Sequence, residues 1–190
     1  MSSPVTEPSA RAQAATALLI TCGADTTEHP GGTLLAHLHR VQTLLATWGA
    51  RPTLQLAGLC HAFYGTDGFP AALLDLSERP RLTEAIGQEA EELVYFYASC
   101  DRTATYPTLT ATHAHAHAHF HDRFTGKKFT PPLPQLRDFA ELTAANELDL
   151  AHANPDFRAK HGPDLLTLLT RFRPLLSENA WQQTRTTLTH

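Results

Sequence analysis

The chain has no apolar run approaching the roughly 20 residues that a membrane-spanning helix needs. Its start, MSSPVTEPSARAQ, lacks the basic-then-apolar order of a signal peptide and reads as a frayed end over residues 1–8. Basic clusters are missing too. With 15 Lys and Arg against 19 Asp and Glu, the formal charge of −4 excludes a partner that must be held by phosphate neutralisation, so no nucleic acid is expected. Cysteine is scarce. Cys22, Cys60 and Cys100 form an odd set without Cys-x-x-Cys spacing, each in an apolar setting, and read as buried thiols of a reducing cytoplasm. There is no Gly-x-Gly-x-x-Gly or Walker loop, and no Ser-His-Asp or Cys-His arrangement stands out. No segment alternates like a strand, and no repeat of solenoid length occurs.

What is present is helical patterning. A chain of 190 residues that is 42% apolar can bury the core of one domain, and its 13 prolines and 10 glycines are spread rather than gathered into a linker. Periodicity predicts about seven helices, near residues 9–22, 33–48, 53–63, 82–100, 135–152, 163–172 and 178–188. The expected fold is all-α, one domain over 1–190. Residues 107–134 form its weakly ordered part, a low-complexity histidine tract (HAHAHAHFH, 113–121) followed by a proline-containing loop. The tract can bind nickel or zinc in vitro, and its simple repetition marks it as a mobile insert.

The chemistry concentrates on two histidines 24 positions apart. His37 lies on the apolar stripe Leu34, His37, Leu38, Val41, Leu44, Leu45 and Trp48, and His61 ends an almost wholly apolar stretch, TLQLAGLCHAF. They lie roughly 18 and 13 Å from the shared turn at Gly49–Pro52 at about 1.5 Å rise per residue, so an antiparallel pairing brings them within about one helical turn. Asp101 continues a row Leu93, Tyr97, Asp101 if its helix runs that far, and a core-facing carboxylate needs a partner, a proton or a cation. Two imidazoles and a carboxylate are ligands for a divalent transition metal such as Mn, Fe or Zn. Each residue alone also fits a satisfied core histidine or a helix-end ion pair with Arg102.

The stretches HLHRVQTLLATWG, LQLAGLCHA and FYASCDR resemble the HD-domain superfamily of helical metal-dependent phosphohydrolases, over about residues 28–105. That resemblance implies an HD-like helical domain in which His37, His61 and Asp101 hold the metal. It departs at Ala62, which stands where the family's dyad aspartate belongs. The wording HAFYGTDGF, with RFTG and ANELDL downstream, is more similar to an uncharacterised HD-like family with a His-x-x-Tyr-Gly-Thr-acid signature. The Tyr-Gly-Thr-Asp-Gly loop offers a phenol at Tyr64 and a carboxylate at Asp67. Asp67 either replaces the missing ligand, serves as general base on a bound water, or simply caps a turn. His29, Arg102, Asn146 and Asp149 are further candidates for the pocket wall.

Three activities are compatible with this pattern. The first is metal-dependent hydrolysis of a small phosphorylated or otherwise anionic metabolite. The second is iron-dependent oxygenase chemistry on the same fold. The third is non-catalytic binding of a small molecule in a polar cleft lined by Tyr64, Tyr97 and Trp48, the metal having been lost.

Overall fold

In the computed structural model, residues 8–109 and 118–189 are described. The N-terminal residues 1–7 and the tract histidines His113, His115 and His117 lie outside them. The described residues form nine α-helices and two short antiparallel strand pairs, so the fold is all-α. In order these are α1 (Pro8–Thr21), β1 (Glu28–His29), β2 (Gly32–Thr33), α2 (Leu34–Thr47), α3 (Pro52–Cys60), α4 (Arg79–Ile86), α5 (Gln88–Ala98) and α6 (Arg102–Thr105). They are followed by β3 (Phe120–His121), β4 (Lys128–Phe129), α7 (Leu133–Ala153), α8 (Pro155–Arg171) and α9 (Glu178–Leu188). None of the described helices is long and apolar enough to cross a membrane.

The longest helix, α7, runs through the middle. Its residues 139–149 are buried on every side, and it packs against α2, α3, α5, α8 and α9. The α2–α3 pair lies beside it, and the two meet closely at Gly58: a Cβ there would stand 2.5 Å from Leu45 Cδ1. The absent side chain is what lets α3 approach α2, and it sets the distance between the histidines that follow. Around this centre one continuous core forms, with Phe63, Phe120 and Phe172 among its fully buried side chains.

The structure departs from the periodicity in four places, each for a local reason. The helix expected over 82–100 is two helices, because Gly87 takes φ +85°, a conformation that ends α4 and restarts the chain as α5. α5 then stops at Ala98, so the row through Tyr97 does not reach Asp101. Pro155, which falls between the helices expected over 135–152 and 163–172, is the first residue of α8: Asn154 caps it by accepting from Phe157 N, and proline needs no hydrogen bond there. Finally, the expectation of a mobile histidine tract fails at its end. Ala118 and Phe120 are buried, Phe120 stacks on Phe96 at 4.1 Å, and β3 pairs with β4.

Candidate functional site

His37 and His61 meet, and α7 is what they meet over. Thr33 caps α2 by accepting from Ala36 N, which starts the helix one turn before His37. The stripe on α2 then buries His37 to 1% exposure. His61 is the C-terminal cap of α3, and its Nδ1–H donates to Gly58 O at 2.7 Å, one of the carbonyls a helix end leaves without a partner. The two rings lie 5.3 Å apart at 78°. The Nε2 atoms of His37 and His61 are each 3.1 Å from one atom, Asn146 Oδ1 on α7.

His37 is gripped from behind. Its Nδ1 lies 2.7 Å from Asp149 Oδ2, and Arg40, one turn along α2, donates to the same carboxylate from Nε (2.7 Å) and Nη2 (3.0 Å). Burial alone would raise the Asp149 pKa, but the hydrogen bonds from His37 and Arg40 outweigh it and hold the carboxyl below its ordinary value. Asp149 therefore fixes His37 with Nδ1–H turned towards α7, which leaves Nε2 facing the cavity.

That cavity, of about 210 Å³, is walled by His29, His37, His61, Arg102, Asn146 and Glu147, with Phe69 and Phe157 among its apolar contacts. His29, from the β1–β2 hairpin, stacks on His37 at 4.2 Å, and its Nδ1 is buried without a hydrogen-bond partner among the described residues. Burial, with His37 alongside, lowers the His29 pKa to about 4 and that of His61 to about 3. Both are neutral at physiological pH. Arg102 donates to Glu147 Oε1 at 3.1 Å and to Tyr97 Oη at 3.4 Å, and Tyr97 packs edge-on against His61.

These placements sort the candidates. His29, His37, His61, Arg102 and Asn146 share the cavity, and Asp149 supports it from behind. Asp101 does not join them: its carboxylate caps α6 by accepting from Ala104 N at 2.9 Å. Asp67 accepts from Arg102 N at 2.9 Å, pinning the same short helix, so it stands as the turn-and-cap residue rather than beside the histidines. Tyr64 points elsewhere, donating to buried Glu91 at 2.8 Å, and Trp48 lies at the far end of α2. The thiols of Cys60 and Cys100 are buried. Glu147 was not among the sequence candidates for the wall; an acidic residue inside the frame ANELDL was the available sign of it.

Neutral His61 carries its one N–H on Nδ1, so Nε2 is bare and cannot donate to Asn146. Asn146 Oδ1 therefore faces a bare His61 Nε2, and turning the Asn146 amide over would relieve this only by setting its oxygen against Glu147 Oε1, to which Nδ2 now donates at 3.3 Å. Among the described residues no group of three or more His, Cys, Asp or Glu side chains is arranged to hold a metal ion.

Residues 18–102 match a family model described as a domain of unknown function (DUF6817). The match carries His29, His37, His61 and Arg102, and ends before α7 with Asn146, Glu147 and Asp149. No curated protein and no solved structure matches the chain.

Proposed function

We propose that the cavity binds a small anionic molecule and that His37 moves a proton for it, as the general base of a hydrolase. The observation that supports this reading is the Arg40–Asp149–His37 clamp. A carboxylate held on both oxygens fixes one tautomer of a histidine whose other nitrogen faces a cavity with an arginine in its wall. Arg102 supplies the charge that attracts the anion. His29 and His61 are neutral, His61 buried and His29 half-buried, so a bound anion raises their proton affinity and is itself held more tightly as pH falls.

Titration calorimetry with inorganic phosphate tests this. The wild type is expected to bind in the millimolar range. A double variant, Arg102→Met with Glu147→Gln, removes the cation without stranding a buried carboxylate and should weaken binding at least roughly fivefold. Equal affinity in the two proteins overturns the proposal.

A metal-assisted version has one specific observation in its favour, the convergence of two Nε2 atoms on Asn146 Oδ1, each at 3.1 Å. Two imidazole nitrogens and an amide oxygen fit three positions around a borderline ion such as Zn, Mn or Fe. The carboxylate half of the HD pattern does not fit, since Ala62 has no donor and Asp101 and Asp67 are engaged elsewhere. A metal held there would take His37 Nε2 as a ligand, so the proton step would pass from His37 to a bound water whose pKa the ion would lower. The donor set is too small for a two-iron centre. Elemental analysis decides, on protein with His113, His115, His117 and His119 changed to Ser and Phe120 kept. In the metal reading Asn146→Asp raises metal content and His61→Ala abolishes it. No metal in any of them leaves the metal-free reading.

A further inference from the structure

Asp149 stands between two spaces. On one side is the histidine cavity; on the other a groove of about 350 Å³ runs between α2, α7 and α9. We propose that this groove is a second site, for a small amphipathic organic anion, with its apolar body on Leu44 and Leu148 and its acidic head among His39, Arg40 and His152.

The N–H donors point to an acidic head. Besides Gln183, whose amide is bonded to Thr187, three groups that donate N–H border the groove, and its one acid, Asp149, already has both oxygens on Arg40 and His37. His39 and His152 make no side-chain hydrogen bond among the described residues, and both are exposed. Arg40 keeps a further edge towards solvent: its side chain is 35% exposed, and Nη1 has only a long contact of 3.4 Å to Gly31 O.

The walls point to an apolar body. Their polar side chains bond one another or their own backbone. Thr43 and Thr47 turn their hydroxyls back to the carbonyls of His39 and Thr43, at 2.9 Å each, and Gln183 donates to Thr187 at 3.1 Å. Little donor capacity is left along the groove, and what remains is gathered at the His39–Arg40–His152 end. Such segregation favours a ligand with one charged end over a sugar or nucleotide, whose polar groups would go unmatched. The volume suits a ring system of one or two rings, and it exceeds the 210 Å³ of the histidine cavity.

Naphthoate, a rigid apolar body with one carboxylate, is the probe, read by its own fluorescence on titration with the full chain. One equivalent should bind, and naphthalene carboxamide, which keeps the shape without the charge, should bind at least roughly tenfold more weakly. His39→Gln with His152→Gln should weaken naphthoate roughly five- to tenfold. Thr43→Tyr and Thr47→Tyr each fill the groove from an exposed position on α2, so each should keep the melting temperature and lose binding; either alone decides the matter. Absence of wild-type binding, equal affinity for acid and amide, or binding that survives a groove-filling variant with wild-type melting overturns the proposal.

Discussion

Two buried carboxylates in this molecule are clamped in the same way, and they differ in what the clamp presents to the space beyond it. Glu91, at 2% exposure, takes Arg79 Nε at 2.7 Å and Nη2 at 2.8 Å, and accepts the Tyr64 hydroxyl at 2.8 Å. Asp149, at 5%, takes Arg40 through the same two atoms and His37 at 2.7 Å. In each, the arginine fork and a third donor offset the cost of removing a carboxylate from water. The difference lies in the third donor. Tyrosine has one polar atom, and once that is bonded to Glu91 the arrangement is closed. Histidine has two nitrogens at opposite edges of its ring, so a clamp on one presents the other, aligned, to whatever lies beyond. Burial pushes the Tyr64 phenol further above its ordinary range, with Glu91 adding to the effect, so it stays protonated and structural.

Breaking the closed clamp should cost the most stability. Glu91→Leu strands Tyr64 and leaves Arg79 without its acid. We expect a loss of about 3 kcal/mol in urea denaturation, at the low end for a broken buried pair because Arg79 can turn to solvent. The cavity beyond the open clamp has a pH signature instead. The His61 pKa is about 3 in the folded chain against 6.5 for the free group, so below pH 6.5 the unfolded chain takes up a proton that the folded one refuses. Stability is full above pH 6.5 and declines as pH falls towards 3, by about 2 kcal/mol at pH 5. His29, lowered to about 4, adds a slope of the same sign, so His61→Gln should reduce the total slope between pH 6.5 and 5 by about half, and an unchanged slope would refute the assignment. Asp149, whose pKa is depressed, adds stability above its unfolded value near 3.8 and loses it only below that, outside this window.

Asp149→Asn sharpens the contrast, because it keeps the volume and releases the tautomer. We expect a loss of about 1–2 kcal/mol together with a change in the His37 Nδ1–H resonance by NMR. Tyr64→Phe is its counterpart in the closed clamp and the smallest effect, about 1 kcal/mol, since Arg79 still covers both oxygens of Glu91. Phosphate affinity should not respond to it; a shift there would join the two clamps into one site.

The parts of this arrangement readable in the sequence were those carried by periodicity. The stripe on α2 delivered His37 to the core, the apolar run of α3 delivered His61, and the three-residue step on a helix placed Asn146 and Asp149 together. Asp101 misled because a row of four-residue steps says nothing about where a helix stops, and α5 stops three residues short of it. The Arg40–Asp149 pair joins residues 109 positions apart, and the Arg102–Glu147 pair joins residues 45 apart. No local pattern announces such pairs, because they exist only after α7 has docked. Phe120 was hidden by its neighbours: one aromatic inside a histidine-alanine repeat was the sole sign that the repeat ends in the core.

The division of the cavity between α2–α3 and α7 has a consequence for the order of folding. Both histidines belong to an early stretch of chain, while the three side chains that orient or face them arrive about a hundred residues later. Closing so long a loop is slow relative to forming the local α2–α3 pair. The nascent chain therefore carries the His37 imidazole before the carboxylate that aims it. A fragment ending at residue 102 has the residues of the matched stretch, Arg40 included, but lacks the Asp149 that gives His37 a direction, so competence at this site is a late property of the whole fold.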